Sequence, residues 1–447
     1  MKNAFFVLMI LGSLMELFAQ QNYEPGVILL QVWQPELVSF SDGYVINGSP
    51  QLQAILQQYP ATGSRKLSHV NAETDGCYQI KYPIDFPLDT IRIALMKCPE
   101  IKYANLAYYG IFSDEPDDYW WELQWALQKI QMPNAWEVNK PNNAILIGII
   151  DSGLDYTHED LVDNIWTNPN EIAGNGIDDD GNGKIDDIHG WDFFNNPQDN
   201  DPQEEGTSHG TRVAGVIAAR TYNGIGIAGI AGGWQGQVGI RLIGLRTGNT
   251  EGWTQSAVKE AIDYLTWLRQ HYGYTIIANM SFQTTGIFDE PMPLLEASVN
   301  AAKNAGIIMV AAAGNKIPDP KSPYYSPGVA TLPIPARYDG VLAVGASKDG
   351  STFPNERRSF YSLYDNTEPY KLLVVAPVDT CFTSGINVST TTPNNSYTNW
   401  FQGTSAACPM AAGVAALMLS INPELAGGDI AEILARTADK IANYPAE

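Results

Sequence analysis

An α/β fold, a parallel sheet with helices on both faces preceded by a small α+β domain, is what this sequence of 447 residues predicts. The first observation is a series of almost uninterrupted apolar runs: 144–150 (AILIGII), 238–246 (VGIRLIGLR), 275–281 (TIIANMS), 306–314 (GIIMVAAAG), 340–346 (GVLAVGA) and 371–377 (KLLVVAP). Strands apolar on both sides belong to sheets covered on both faces, and such sheets are parallel. The second is that helical patterns at 254–270 and 294–304 separate some of these runs, as crossover connections require. The third lies upstream. Between residues 23 and 109 the pattern reads strand (26–32), helix (50–59), strand (77–82), helix (88–97), strand (101–109), a small α+β unit of its own.

Hydrophobic content of 45% against 17% charged residues fits a folded globular chain long enough for two or three domains. A formal net charge of −23 argues against nucleic acid and anionic membranes as partners, because both need clustered Lys and Arg. The first 19 residues carry Lys2, an apolar run from Ala4 to Leu14 and a small residue at Ala19, the layout of a cleaved export signal in which Glu16 is unusual. That run is too short to favour a spanning helix, and no later stretch is read as one, so the expectation is a secreted or cell-envelope protein with no membrane span in its mature form. Of the four cysteines, Cys77 and Cys98 lie in one region where they can pair, and Cys408 sits on an apolar helix as a buried thiol. Cys381 is the fourth. The acidic, Pro-containing segment 112–118 reads as a linker accessible to proteolysis. Trp120, Trp121, Trp125 and Trp136 just after it read as packing. Lys316 to Pro335 is Pro-rich and reads as a long surface loop.

The chemistry concentrates on three short stretches. In Gly403-Thr404-Ser405-Ala406-Ala407-Cys408-Pro409, a serine among small residues sits where a turn feeds an apolar helix, predicted over 406–419. Backbone N–H groups at such a helix start favour negative charge beside the hydroxyl. A serine hydroxyl needs a base to become a nucleophile. His209 opens a Gly- and Ala-rich helical stretch, and Asp151 directly follows the 144–150 strand. Ligand sites in parallel sheets form beyond the carboxyl ends of the strands, so these residues and Asn315, which follows the 306–314 run, can reach one edge.

The segments DSGLDYTHEDL from Asp151, HGTRVAGVIAA from His209, AAAGN ending at Asn315 and GTSAACPMAAGVAAL from Gly403 resemble, in this order, the signatures of the subtilisin-like serine peptidases (subtilases). That resemblance implies an endopeptidase with Ser405 as nucleophile, His209 as base and Asp151 as the anion that orients it, with the Asn315 amide and the Ser405 N–H stabilising the tetrahedral oxyanion. It implies protein or peptide substrates lying extended along Ser281, Phe282 and Gln283, over a pocket floored by Ala312, Ala313 and Gly314. Relatives usually carry glycine where Gln283 stands. It also implies a propeptide over 20–112, acting as the enzyme's own inhibitor, before a catalytic domain over 113–447, and no organic cofactor. Where many subtilases have Phe-Ser-Asn-Tyr-Gly, this chain has Phe360-Tyr361-Ser362-Leu363-Tyr364.

Between the first two motifs lies an acidic loop. With Asp178 as position one, Asp180 stands at three, Asn182 at five, Gly183 at six, the Lys184 carbonyl at seven and Asp186 at nine, the spacing of a calcium loop. His189 stands at twelve instead of glutamate, so another oxygen has to complete the shell. The alternative is a solvated acidic loop, but carboxylates packed this closely repel unless a cation neutralises them. Two other functions fit the same residues: a catalytically silent binding protein, and an esterase using the same triad.

Overall fold

The computed structural model describes residues 23–36, 38–41, 43–67, 75–108, 115–284, 290–316, 332–348, 357–363, 372–379 and 388–439. The chain divides into two compact units, Met1–Phe112 and Ser113–Glu447.

In the first unit, strands Gly63–Lys66, Cys77–Lys81, Tyr23–Val32 and Ile101–Tyr108 pair antiparallel in that order. The sheet and the helices Pro50–Gln58 and Leu88–Leu95 share a core that includes Ile28, Leu30, Leu52, Ile80, Ile91 and Leu95. The first helix starts where the sequence marks it: Ser49 accepts a hydrogen bond from the Leu52 N–H, and Pro50 occupies the first turn, where no N–H is needed. The Gly63–Lys66 edge strand was not anticipated, because its residues Gly-Ser-Arg-Lys carry no apolar alternation. Cys77 and Cys98, which the sequence allows to pair, do not. Both are free thiols, and Cys98, just past the Leu88–Leu95 helix, turns its sulfur back to the Ala94 carbonyl. Cys381 lies outside the described residues.

The second unit is the expected parallel sheet. Its order is Arg357–Arg358, Val341–Lys348, Ile308–Ala312, Thr275–Met280, Ile145–Asp151, Arg241–Arg246 and Gly190–Asp192, with Leu372–Asp379 also paired to Val341–Lys348. All these pairs are parallel except that of the two-residue Arg357–Arg358 strand. Along the central strand, side chains alternate between two cores. Ile145, Ile147 and Ile149 join the cluster beneath helices His209–Ala218 and Thr404–Ile421, while Leu146 and Ile150 join the cluster beneath Gln255–Tyr272 and Pro293–Asn304. Gly148 falls on the second face, where a Cβ would come within 2.6 Å of Leu265, so the crossover helix packs there directly against backbone. Thr254 caps the Gln255–Tyr272 helix by accepting from the Ala257 N–H, and Gly273 ends it in the left-handed region.

Several expectations change. The Thr404–Ile421 helix is long and apolar enough to cross a bilayer by length and composition, contrary to the reading that no later stretch is; most of it is buried as the core helix of this unit. Leu332 and Ile334, read as the end of a surface loop, are buried in the second cluster; residues 317–331 of that segment lie outside the described residues. A hairpin of strands Val388–Thr392 and Ser396–Phe401 escaped a reading based on apolar runs because its buried residues include Ser389, Thr390 and Thr391. They are buried because the Thr390 and Thr391 hydroxyls donate to the Arg212 and Thr211 carbonyls on the His209–Ala218 helix. Trp121 and Trp136 do pack, at 5.9 Å between ring centres, with the Trp136 N–H donating to the Ile230 carbonyl.

Candidate active site

Five connections deliver the predicted residues to one edge of the sheet. Asp151 is the last residue of its strand, Ser281 follows the end of Thr275–Met280, and Asn315 lies just past Ile308–Ala312. His209 is the first residue of its helix and Ser405 the second of its own. His209, Ser281, Gln283, Ala312, Asn315 and Ser405 line a single cleft of about 720 Å³. Phe282 lines it too, its ring 4.9 Å from that of Trp253. Ala313 is fully buried behind Ala312, and Gly314 turns the chain with φ +95°.

The imidazole and the carboxylate are coupled. His209 Nδ1 lies 2.8 Å from Asp151 Oδ1, which also accepts from the Ser152 N–H at 2.8 Å. The Asp151 side chain is 5% exposed and that of His209 36%, so the anion is buried behind a ring that faces the cleft. Burial lowers the His209 pKa, but the charge and hydrogen bond of Asp151, helped by Glu204, raise it overall above its ordinary 6.5. The Ser405 hydroxyl donates to the Ser281 carbonyl at 3.0 Å rather than to the imidazole. The sequence does not encode this rotamer choice.

Asn315 is held by its side-chain carbonyl. Oδ1 accepts from the Thr404 N–H at 3.0 Å and from the Thr404 hydroxyl at 3.2 Å, fixing which way the amide points. Nδ2 donates to no described residue. It lies 3.1 Å from where a Cβ on Gly403 would stand, so a side chain at Gly403, whose φ is +83°, would crowd the donor. The Thr404 hydroxyl also accepts from the Gly314 N–H at 3.1 Å, tying the two loops together.

Glu204 belongs to this region and was not singled out in the sequence. No side chain of Ser208 caps the His209 helix; instead Glu204 Oε1 accepts from the Gly210 N–H at 3.1 Å and Oε2 from the Thr211 N–H at 2.8 Å. Ser152 donates to the same carboxylate at 2.6 Å, and burial pushes the Glu204 pKa up. The available signal was an acidic residue just upstream of a helix lacking an acidic first turn. Cys408, one turn beyond Ser405, is buried, its thiol on Asn279 Oδ1 at 3.3 Å and its pKa pushed up to about 12 by burial. Of the other histidines, His158 is buried with Nε2 3.1 Å from the Ser396 carbonyl, His189 contacts the Trp166 carbonyl, and His271 stacks on Trp267. His69 lies outside the described residues.

The acidic loop is a separate candidate metal centre. Carboxylate oxygens of Asp178, Asp180 and Glu171 all lie within 4.8 Å of one another. Glu171, absent from the sequence reading, brings a third carboxylate to this cluster. Asn182 lies beside them, its amide donating to Asp187 at 2.9 Å and its Oδ1 accepting from the Lys184 N–H at 2.7 Å. Asp186 is turned elsewhere, its carboxylate accepting from the N–H groups of Asn175 and Gly176. Asp187 is buried, bonded to Asn168, Asn182 and Tyr264. Three carboxylates converging in a loop bent at Gly181 and Gly183 form an all-oxygen donor set, which fits a hard cation such as Ca²⁺. Two further buried carboxylates, Asp118 and Asp160, were likewise not singled out. Burial pushes both up to about 7, and they accept hydrogen bonds from the Tyr222 and Ile227 N–H groups.

Residues 142–446 match the Subtilase family. The chain is 32% identical over 334 residues to a subtilisin-like protease 1 of Plasmodium vivax, an alignment covering 73% of this chain and 49% of that protein. It is 32% identical over 351 residues to a thermophilic serine proteinase of a Bacillus species, covering 78% and 70% respectively. Among solved structures, a protease from Pseudoalteromonas arctica shares the fold with a TM-score of 0.53 at 23% identity, over 73% of this chain and 93% of that one. The chain spans about half the length of the first of these relatives.

Proposed function

The chain belongs to the subtilase family, and from that premise we propose that it is a secreted serine endopeptidase made as a precursor. The observation that carries this reading is the shared cleft, lined by His209, Ser405 and Asn315, in which a buried carboxylate holds the His209 ring and the Asn315 amide donates to no described residue. A peptide lies extended along Ser281 to Gln283, its carbonyl carbon over the Ser405 oxygen. For attack the hydroxyl leaves the Ser281 carbonyl and turns to His209 Nε2, which takes the proton as the carbon–oxygen bond forms. Charge passes to the substrate oxygen, where Asn315 Nδ2–H and the Ser405 N–H donate to it. His209 then returns its proton to the leaving amine as the carbon–nitrogen bond breaks, leaving an acyl-enzyme. Water, deprotonated by the same imidazole, releases the acid and restores Ser405. Asp151 orients the ring and stabilises the imidazolium.

Residues 1–19 are read as the export signal, Met1–Phe112 without that signal as an inhibitory propeptide, and the segment after it as the maturation cut. Asp178, Asp180 and Glu171 would hold a Ca²⁺ ion, which would stabilise the fold away from the reacting atoms. Wild type and Ser405→Ala are to be purified, and their N-termini and the peptides released from casein sequenced by mass spectrometry. Wild type is expected to start near residue 113 and to cut casein, and Ser405→Ala to do neither. A Ser405→Ala protein that still processes itself and cuts casein overturns the reading.

A further inference from the structure

Gln283 stands where the family resemblance places a glycine, and its side chain does something glycine cannot. Its Oε1 accepts from the Asn315 backbone N–H, and its Nε2 donates to the Asn315 carbonyl at 3.2 Å. One side-chain amide thus pairs with both backbone groups of the proposed oxyanion residue, as a neighbouring strand would. We propose that Gln283 is a positioning residue of the oxyanion site, clamping the backbone of Asn315 so that its side-chain amide is already aimed before substrate binds. The inference rests on the oxyanion role given to Asn315 above.

The surroundings explain why a clamp has work to do. Asn315 lies beyond the Ile308–Ala312 strand, after Gly314 has turned the chain with φ +95°. Among the described residues its other backbone support is an isolated bridge to Ser362, with neighbouring bonds from the Leu363 N–H to the Gly314 carbonyl and from the Lys316 N–H to the Tyr361 carbonyl. An oxyanion donor is effective only when held close to its productive position, because reorganisation during the reaction subtracts from what the donor contributes. Gln283 is itself anchored. The Trp253 indole N–H donates to its carbonyl at 3.0 Å, and the next residue, Thr284, exchanges hydrogen bonds with Ile334. A long polar side chain loses rotamer freedom when fixed, and two directed hydrogen bonds to one peptide unit offset that loss. The side-chain Oε1 of Gln283 lies 3.0 Å from where a Gly314 Cβ would be, so the clamp also closes over the glycine of the pocket floor.

The test is a double-mutant cycle on the full-length protein after maturation. Gln283→Met, close in size but without the amide, is made in wild type and in Asn315→Ala; kcat and KM are measured on a peptide p-nitroanilide per fluorophosphonate-titrated site. Expected are a loss in kcat of about tenfold in wild type, KM changed less than about twofold, and almost no further loss in the Asn315→Ala background. If Gln283→Met yields no titratable protein, Gln283→Glu, which keeps an acceptor for the Asn315 N–H, is read the same way with a smaller loss expected. The inference is overturned by an unchanged kcat in wild type alongside a low kcat in Asn315→Ala, or by the same loss in both backgrounds. An Asn315→Ala enzyme with wild-type kcat instead overturns the oxyanion role itself, and the clamp falls with it.

Discussion

His209 shows how much of the chemistry is set within one pair of residues. A base must be neutral to accept a proton, and the Asp151 carboxylate at 2.8 Å favours the protonated ring, so the raised pKa moves the onset of activity to higher pH. The acid limb of kcat/KM is therefore expected to rise through a value above 6.5. Asp151→Asn removes that charge. It should lower kcat by roughly 10⁴-fold and move what remains of the acid limb to lower pH, and a limb that stays in place would show that Asp151 does not set the His209 titration. That Asp151, His209, Asn315 and Ser405 come to one edge of the sheet was legible in the sequence, because each sits at a strand or helix end in a short context of small residues. The contacts of Glu204 and Gln283 were not. They depend on which backbone N–H groups remain unpaired after folding, Gly210 and Thr211 in one case and Asn315 in the other, and no periodicity reports that.

At the scale of elements, the reading by apolar runs succeeded where burial is apolar and failed where it is polar. Ile145–Asp151 and Ile308–Ala312 are buried at every position and were found, whereas the hairpin Val388–Phe401 buries threonines through hydrogen bonds to a helix and was missed. The same limit applies to the acidic loop. Its internal spacing gave Asp178 and Asp180, but Glu171 approaches from outside the motif and only the fold brings it there. Removing a bound cation returns uncompensated repulsion among these carboxylates, so EDTA should lower the melting temperature by on the order of 5 °C. Asp180→Ala should lose most of that sensitivity. A melting curve indifferent to both EDTA and added Ca²⁺ would remove the metal from the account.

For the molecule as a whole, the sequence conveyed an α/β sheet with a smaller α+β unit ahead of it, because alternating apolar runs and helical stretches leave few other ways to cover both faces. The export signal and maturation cut rest on composition and order along the chain alone. What joins the scales is the convergence on one sheet edge of residues separated by more than half of the chain, from Asp151 to Ser405. Its most direct test is covalent labelling of the mature protein with a fluorophosphonate, the modified peptide being mapped by mass spectrometry. The account predicts stoichiometric modification of Ser405, much slower in His209→Ala and absent in Ser405→Ala. Folded, mature protein that takes up no label, or that is labelled equally well without the Ser405 hydroxyl, would contradict it.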